Sequence, residues 1–488
     1  MAFRPTIGLE IHAELRMRTK MFCDSANHSS ETRPNVNVCP ICLAHPGTLP
    51  VINREAVRHI LRLGAAIGGT LAGFSEFDRK SYFYPDMPKG YQISQYEHPL
   101  VSGGTLAGVA ITRIHLEEDT ARSTHVGAKG GGPERIGGAE GKTLVDFNRA
   151  GIPLMELVTE PVIPDAKTAG TFARELQLLL RTLGASEANL EKGEMRIEAN
   201  VSVRSDLKSE SSRSDLLGPF GTKVEIKNLN SFRSVERAIA FEIERQSNLL
   251  SQGGRVEQET RGWDEVKQQT FHQRFKEGSA DYRYFPEPDL PSLSLAEIPE
   301  FSHATLTESL PELQWVRRAR YREQLGLKDD DIEYLLSYPT RSEFFDAVVS
   351  ELDGQSELVV RAANYFISDL AGEPGKATPA AFAALIRMLA SGKLSSRGAK
   401  DVLALLGEGG GDPETIAQMR GLTQVTDASA LAAVVDTILT REVAAVGQYR
   451  AGKTAALEYL VGQAMRASRG AGNPQALRHL FKAKLGDK

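Results

Sequence analysis

The chain has 488 residues, of which 41% are hydrophobic and 25% charged, and its formal net charge is -5. This length predicts two to four domains, each with its own core, and the composition is typical of a soluble globular protein. No apolar run approaches the roughly 18 residues of a membrane span and the N-terminus lacks a signal-peptide core, so we expect a cytoplasmic protein with no membrane partner.

The first predicted element is a strand in the stretch GLEIHAEL, from Gly8 to Leu15. Strict alternation places apolar residues on one side of an extended chain and Glu10, His12 and Glu14 on the other. Neighbouring like charges repel each other on a strand face. A row of two carboxylates and one imidazole therefore indicates a bound cation.

The cysteines of the chain all lie near the N-terminus, at Cys23, Cys39 and Cys42. Their small number argues against a disulfide scaffold and for a reduced compartment. The sequence CPIC is typical of a knuckle that binds Zn²⁺, and a histidine, His28 or His45, would complete a Cys₃His site. Ser25 is also near. Three thiols without a metal explain the same pattern equally well.

Further rows of polar residues follow between residues 117 and 200. Each one alone is typical of a solvated sheet face. Together they favour a convergence of carboxylates with Asn and Arg, which holds Mg²⁺ and steers a polyphosphate. His12 suits a softer divalent metal, or it orients a carboxylate, because Mg²⁺ prefers oxygen ligands. The polar residues in question are Glu117, Glu118, Asp119, Asp146, Asn148, Arg149, Glu156, Arg196, Glu198 and Asn200.

Three zones are predicted along the chain. Residues 1–292 alternate between strand patterns and helices, such as one that stops at Gly184, and we expect an α+β domain there. Residues 293–408 have a helical pattern. Residues 409–488 follow a glycine-rich boundary and form a basic helical tail. The glycine-rich segment 127–141 is predicted to be a flexible loop.

The tail contains a match to the phosphate-loop pattern, GQYRAGKT, from Gly447 to Thr454. A true phosphate loop follows a strand, whereas the residues before this match have a helical pattern. We interpret the match as a turn between helices that presents Arg450 and Lys453 to a polyanion. From Tyr449 to Lys488 there are eight Lys or Arg residues and two acids.

Long motifs in a fixed order resemble the B subunit of the glutamine-dependent aspartyl/glutamyl-tRNA amidotransferase family. The resemblance implies a cradle-like catalytic domain with a mixed or antiparallel sheet, similar to glutathione synthetase, then an all-helical domain and a small helical tail that contacts tRNA. The motifs include GLEIHAEL, CPICLAHPGTLPVIN, FDRKSYFYPDMPKGYQISQ, LVDFNRAGIPLMELVTEP, RIEANVSVR, VEIKNLNSFRSVERAI and DYRYFPEPDLP.

The resemblance also implies a reaction. ATP phosphorylates the side-chain carboxylate of Glu on misacylated tRNA(Gln), or of Asp on tRNA(Asn), and ammonia then displaces the phosphate. The family's A subunit is an amidase that hydrolyses glutamine and supplies the ammonia, and its C subunit completes a heterotrimer. Two alternatives stay open, a stand-alone ATP-dependent carboxylate-amine ligase and a noncatalytic RNA-binding scaffold.

The positions of this chain that match the family's motifs are those to which the resemblance assigns the family's site residues. The resemblance implies a magnesium-centred kinase site and a nucleotide site, with zinc bound in some members. Alternation along the strand instead groups Glu117 with Arg113 and His115. This chain departs from the family pattern at two places. The family commonly has Cys-Asp where this chain has Ile197-Glu198, and zinc-binding members have Cys-x-Cys where this chain has Cys23-Asp24-Ser25. The implied positions are Glu10, His12, Glu118 and Glu156 for the metal, Glu117 beside them, and Glu198 and Asn200 near ATP.

Overall fold

The computed structural model describes residues 3–126, 142–205, 220–275, 282–424, 428–468 and 472–486. The chain divides into two compact units, Met1–Leu313 and Gln314–Lys488. Strands and helices alternate in the first unit, and the described residues of the second form helices. This confirms the predicted α+β class followed by helices, while the predicted boundaries after residues 292 and 408 stay predictions. The predicted loop at 127–141 lies outside the described residues.

The first unit is built around a large sheet. Its strand order is β14-β13-β12-β11-β1-β10-β7-β5-β2, with β6 paired to β7. The sheet is mixed, because β12 and β13 run parallel while their neighbours pair antiparallel. In chain order the strands are β1 Phe3–Glu14, β2 Thr70–Leu71, β3 Asp78–Ser81, β4 Tyr91–Ser94, β5 Val101–Ser102, β6 Thr105–Leu106, β7 Val109–Glu118, β8 Arg122–Val126, β9 Lys142–Asp146, β10 Pro153–Thr159, β11 Met195–Ser205, β12 Val224–Leu229, β13 Glu259–Asp264, β14 Gln269–Phe275 and β15 Phe285–Pro286.

Helices cover one face of this sheet. They are α1 Arg54–Ala66, α2 Ala166–Thr182 and α3 Phe232–Ser251; a short helix, α4 His303–Glu308, closes the unit. The alternating residues Ile7, Leu9 and Ile11 of β1 are buried beneath them. Burial of this apolar row stabilises the sheet by roughly 1.5–3 kcal/mol per side chain and leaves the polar row on the opposite face.

Helix α2 forms where its apolar stripe predicts it. The Asp165 carboxylate caps its N-terminus by accepting a hydrogen bond from the backbone amide of Thr168. Phe172 and Leu176 are among the fully buried residues of the stripe. The helix ends before Gly184, which has a φ of 67°, a conformation that favours glycine. The predicted stop is confirmed.

The first unit also contains a smaller sheet of three strands. Its order is β15-β3-β4, and β4 contacts β7 of the large sheet. This arrangement brings the β3–β4 hairpin and the residues before β15 over the polar face of β7. Strands β8 and β9 form a separate hairpin.

The second unit is a run of helices. Helix α11 packs against α9 and α10, whereas α12 to α15 share a core that includes Leu460 and Phe481. The helices are α5 Gln314–Glu323, α6 Asp329–Leu336, α7 Pro339–Glu351, α8 Ser356–Ser368, α9 Pro379–Ala390, α10 Ser396–Gly409, α11 Pro413–Met419, α12 Ala428–Arg441, α13 Val443–Arg450, α14 Ala455–Ala467 and α15 Pro474–Leu485.

The phosphate-loop match spans the last turn of α13 and the residues that connect it to α14, and helix α12 precedes both. Gly452 has a φ of 97° and forms the turn that joins the two helices. The interpretation as a turn between helices is confirmed, since in this part of the described chain no strand precedes the match. None of the helices described is both long and apolar enough to cross a membrane.

Candidate active site

A cleft of about 1180 Å³ lies over the polar face of the large sheet. Strands β1, β7, β10, β11 and β12 form its floor, and the β3–β4 hairpin together with residues 282–284 forms one wall. Glu10 and His12 of β1 and Arg196, Glu198 and Asn200 of β11 therefore line one cleft.

Strand register brings the key residues together. β1 lies between β11 and β10, so that His12 faces Arg196 on one side and Glu156 on the other. Glu156 in turn faces His115 on β7. Residues directly opposite in an antiparallel pair point to the same face, so these side chains form a continuous row across the sheet. Glu10 faces Glu198 one row away.

The central side chains are within a few ångströms of one another. His12 Nε2 is 3.4 Å from Glu117 Oε1 and 3.4 Å from Glu156 Oε2. His115 Nε2 is 3.3 Å from the same Glu156 oxygen. We call Glu10, His12, Glu117 and Glu156 the acid cluster.

Two overlapping sets of ligand atoms in this region fit a divalent cation. Glu10, His12 and Glu156 form one set and His115, Glu117 and Glu156 the other, and the atoms of each set lie within 4.8 Å of one another. Carboxylate oxygens suit Mg²⁺ and imidazole suits softer metals. His115 Nδ1 is buried and has no hydrogen-bond partner among the described residues, which leaves ligand capacity unused.

The electrostatics of the acid cluster also favour a cation. Burial raises the pKa of Glu10, and the nearby Glu156 carboxylate raises it further. Burial opposes a charged His12, but the carboxylates of Glu117 and Glu156 outweigh it and raise the His12 pKa well above its usual value. Burial likewise opposes a charged Glu156, yet His115 and His12 hold its pKa well below the usual value. The raised pKa of His12 shows that the position between the two carboxylates favours a positive charge. A metal bound to His12 would displace the proton from its imidazole.

The position of Glu118 differs from the metal-site position that the resemblance implies. Its side chain accepts a hydrogen bond from the backbone amide of Ile93 at 2.9 Å and forms an ion pair with Lys89. It lines a separate cavity of about 220 Å³ beside the cysteines. The structure does not bring Glu118 into the acid cluster, because consecutive residues of a strand point to opposite faces and Glu117 takes the inward position.

Two lysines at the site were not predicted from the sequence. Lys80 Nζ is 3.9 Å from Glu117 Oε2, and Lys227 Nζ is 2.8 Å from Glu198 Oε1. Strand β3 has four residues, too few for a periodic pattern to single out Lys80. Lys227 was detectable, because it alternates with the buried Ile226 in the stretch VEIKNL.

The residues expected near ATP, Glu198 and Asn200, also line the cleft. Glu198 is held by Lys227, and the buried oxygen of Asn200 has no hydrogen-bond partner among the described residues. Arg196, beside them, forms ion pairs with Asp119 and, at 3.8 Å, with Glu14. These ion pairs fix the guanidinium at the edge of the floor.

Two polar residues expected to converge with this group have a different role. Asn148 Oδ1 accepts hydrogen bonds of 2.8 Å from the backbone amides of Val36 and Asn37. Asp146 accepts one of 3.0 Å from the amide of Asn35. They therefore hold the loop before Cys39, and they are not among the residues that line the cleft.

The three cysteines form a second cluster. Cys42 Sγ is 3.5 Å from Cys39 Sγ and 3.9 Å from Cys23 Sγ. A hydrogen bond from Cys23 lowers the pKa of Cys42 to about 4, against the effect of burial, and Lys20 contributes. Ser25 Oγ, 3.5 Å from the same sulfur, also lowers it. Three close sulfurs supply three of the four ligands of a structural zinc site.

Neither histidine considered as a fourth zinc ligand joins this group within the described part of the chain. His45 lines the neighbouring cavity with Cys23 and Cys42. His28 forms a hydrogen bond of 3.2 Å with Ser30.

Comparison with known proteins agrees with this architecture. Residues 5–298 match the family model described as the GatB/GatE catalytic domain, and residues 343–485 match the GatB domain. The chain is 43% identical to the B subunit of the aspartyl/glutamyl-tRNA(Asn/Gln) amidotransferase from a strain of Thermus thermophilus, with 99% of both chains covered.

Other relatives have similar names. The corresponding protein of a Synechococcus strain is 39% identical, with 99% of this chain and 98% of the relative covered. The B subunit of the chloroplastic/mitochondrial glutamyl-tRNA(Gln) amidotransferase from Physcomitrium patens is 41% identical, with 99% of this chain and 85% of the relative covered. Taken together with the match over the cleft-bearing unit, these identities show that the chain belongs to the GatB family of amidotransferase B subunits.

Proposed function

We propose that the cleft is the kinase and amide-transfer site of a tRNA-dependent amidotransferase. A carboxylate oxygen of Glu on misacylated tRNA(Gln), or of Asp on tRNA(Asn), attacks the terminal phosphorus of ATP, and ADP leaves. Ammonia then attacks the carbonyl carbon, inorganic phosphate departs, and the nitrogen loses protons to give the amide. The observation that carries this proposal is the convergence of the acid cluster in one cleft of a GatB family member.

Residues of the acid cluster would hold a divalent cation, for which we propose Mg²⁺. When bound, such a cation neutralises charge on the polyphosphate during transfer. Glu10, Glu117 and Glu156 supply carboxylates, and His12 is a ligand or orients one of them. Glu117 takes the place that the resemblance gave to Glu118.

The side of the cleft formed by β12 and β14 suits the phosphates of ATP. It is lined by Lys223, Lys227 and Arg274. The neighbouring strand β11 contributes Glu198 and Asn200. Cations that flank a carboxylate cluster attract a polyphosphate without needing a specific fold motif. We assign Glu198 and Asn200 to the nucleotide site on this basis.

Ammonia is proposed to come from a partner. The relatives are named as B subunits, which implies complexes with other subunits. We propose a heterotrimer in the cytoplasm, in which the A subunit is the glutaminase and the C subunit is the third component. We further propose a structural Zn²⁺ at Cys23, Cys39 and Cys42, which would stabilise the N-terminal loops beside the second cavity.

The C-terminal helices α12 to α15 are proposed to contact tRNA phosphates. They have a core of their own, so they form a stable platform for cations. Lys453 and Arg466 are exposed, whereas Arg478 is paired with Glu458 and Lys484 with Asp436. Contacts of this kind position a nucleic acid without reading its sequence.

The activity is tested by the dependence of ATP hydrolysis on tRNA. With glutamyl-tRNA(Gln), we expect the chain with its partner subunits to release ADP and, when glutamine is present, to form the amide. Glutaminyl-tRNA(Gln) is the matched control, because it has no side-chain carboxylate to phosphorylate. Hydrolysis that responds to free glutamate or aspartate without tRNA would favour the stand-alone ligase. Binding of tRNA with no hydrolysis would favour the scaffold.

The assignment of Glu117 over Glu118 is tested by metal binding. Glu117→Gln should weaken Mn²⁺ binding, measured by titration with paramagnetic resonance detection, and reduce amidation at least about a hundredfold, because phosphoryl transfer depends on charge stabilisation. Glu10→Gln should behave in the same way. Glu118→Gln should leave Mn²⁺ affinity within about twofold, since its carboxylate faces another cavity. Equal losses of Mn²⁺ affinity in the Glu117 and Glu118 variants would contradict the assignment.

The tRNA contact is tested by removing residues 428–488, a cut that leaves α11 on the helices it packs against. We expect the KM for misacylated tRNA to rise about tenfold or more and its salt dependence to weaken. The double variant Lys453→Ala, Arg466→Ala should shift both quantities in the same direction in the full chain. Glutamine hydrolysis without tRNA should continue. An unchanged KM for tRNA, or loss of the partner subunits, would assign the tail to assembly instead.

A further inference from the structure

One wall of the cleft is lined by aromatic rings. Phe83 is 80% exposed, Tyr84 59% and Tyr96 57%. Large exposed rings inside a cleft indicate a ligand that covers them, since soluble proteins seldom leave such surfaces in contact with water. The rings of this aromatic wall belong to Tyr82, Phe83, Tyr84, Tyr96, Tyr282 and Tyr284.

The rings are arranged as platforms. Tyr96 and Tyr284 stack with their centroids 4.5 Å apart and their planes 15° apart. Tyr82 and Tyr84 lie 4.8 Å apart with a tilt of 40°. Phe83, in the connection between β3 and β4, is the most exposed ring of the wall. Flat faces of this kind bind other flat rings.

Lys80 connects the aromatic wall to the acid cluster. Its Nζ is 3.9 Å from Glu117 Oε2 and 5.1 Å from the centre of the Tyr282 ring. A ligand that places a carboxylate at the acid cluster therefore has the aromatic wall directly beside it.

The two sides of the cleft fit different ligands. Lys223, Lys227 and Arg274 suit a polyphosphate, and Phe275, 60% exposed, lines the cleft next to Arg274. That side therefore suits the phosphates of ATP. The aromatic wall is left for the second substrate.

We propose that the aromatic wall, chiefly Phe83 and Tyr84, stacks on the unpaired nucleobase at the 3′ end of the aminoacylated tRNA. The inference rests on the proposed function. The amino acid is esterified to the terminal ribose, so a side-chain carboxylate at the acid cluster brings the terminal base within the length of one aminoacyl nucleoside. Stacking depends little on base identity and suits a 3′ end that all tRNAs share.

Stacking has a measurable consequence for tRNA binding. Loss of one aromatic partner typically weakens single-strand binding by about tenfold. In the complete complex, Phe83→Ala and Tyr84→Ala should each raise the KM for glutamyl-tRNA(Gln) by about tenfold and leave the KM for ATP within twofold. Phe83→Tyr keeps a ring and should restore the wild-type KM.

Phe74→Ala is the matched control. Phe74 is 44% exposed and packs edge-on against His98, but it is not among the residues that line the cleft. This variant should leave both KM values unchanged.

A second measurement reports stacking directly. The tRNA carries 2-aminopurine in place of its terminal adenine, and its fluorescence should be quenched on binding to the wild-type complex and to Phe83→Tyr, but not to Phe83→Ala. A terminal abasic tRNA should bind the wild type and Phe83→Ala equally well.

Three results would overturn the inference. A rise in the KM for ATP with no change for tRNA would assign the aromatic wall to the adenine of ATP. An unchanged KM for both substrates would exclude a nucleobase site. An equal loss of affinity for intact and abasic tRNA would show that the rings contact something other than the base. Because fluorescence quenching does not require turnover, failure of wild-type amidation would reject the proposed function separately from this inference.

Discussion

The close approach of three carboxylates in a buried space is the constraint on which the rest of this structure depends. Two unit charges 4 Å apart repel by about 4 kcal/mol at an effective dielectric constant of 20, and burial adds to that cost. Glu156 is held close to both Glu10 and Glu117 all the same, and His12, whose pKa is raised by Glu117 and Glu156, lies 3.4 Å from each of those two carboxylates. Such an arrangement is stable only when a positive charge is supplied, and a divalent cation supplies more of it than a proton does.

The fold holds this arrangement by hydrophobic burial elsewhere. The apolar rows of β1 and β11 are buried, and α3 packs on β11, so each strand is fixed in register by residues that never meet the substrate. A slip of one residue would turn the acids into the core and the apolar row into the cleft. Register, more than any single polar contact, therefore positions the acid cluster. Lys80 adds a positive charge beside Glu117, and Lys227 adds one beside Glu198.

Much of this was predictable from alternation within single strands. The polar faces of β1 and β11, the stop of α2 at Gly184 and the helical context of the phosphate-loop match all agree with the sequence pattern. Alternation also grouped Glu117, not Glu118, with Arg113 and His115, and these three side chains line the cleft together.

Other parts of the site were not predictable in this way. The pairing of β1 with β10 and β11 joins residues far apart in the sequence, such as His12 and Glu156, and no local pattern encodes that register. Lys80 lies on a strand of four residues, and the rings of Tyr282 and Tyr284 precede a strand of two. Elements this short have no periodicity to detect, so their side chains are placed by tertiary contacts alone.

Transfer of oxygen from the substrate carboxylate to phosphate tests the central claim most directly. Glutamyl-tRNA(Gln) labelled with ¹⁸O in both side-chain carboxylate oxygens is converted by the complete complex with ATP and glutamine, and the released phosphate is analysed by mass spectrometry. If the carboxylate attacks phosphorus, each phosphate contains one ¹⁸O atom and the amide product keeps the other. Phosphate without ¹⁸O, formed together with the amide, would contradict an acyl phosphate intermediate.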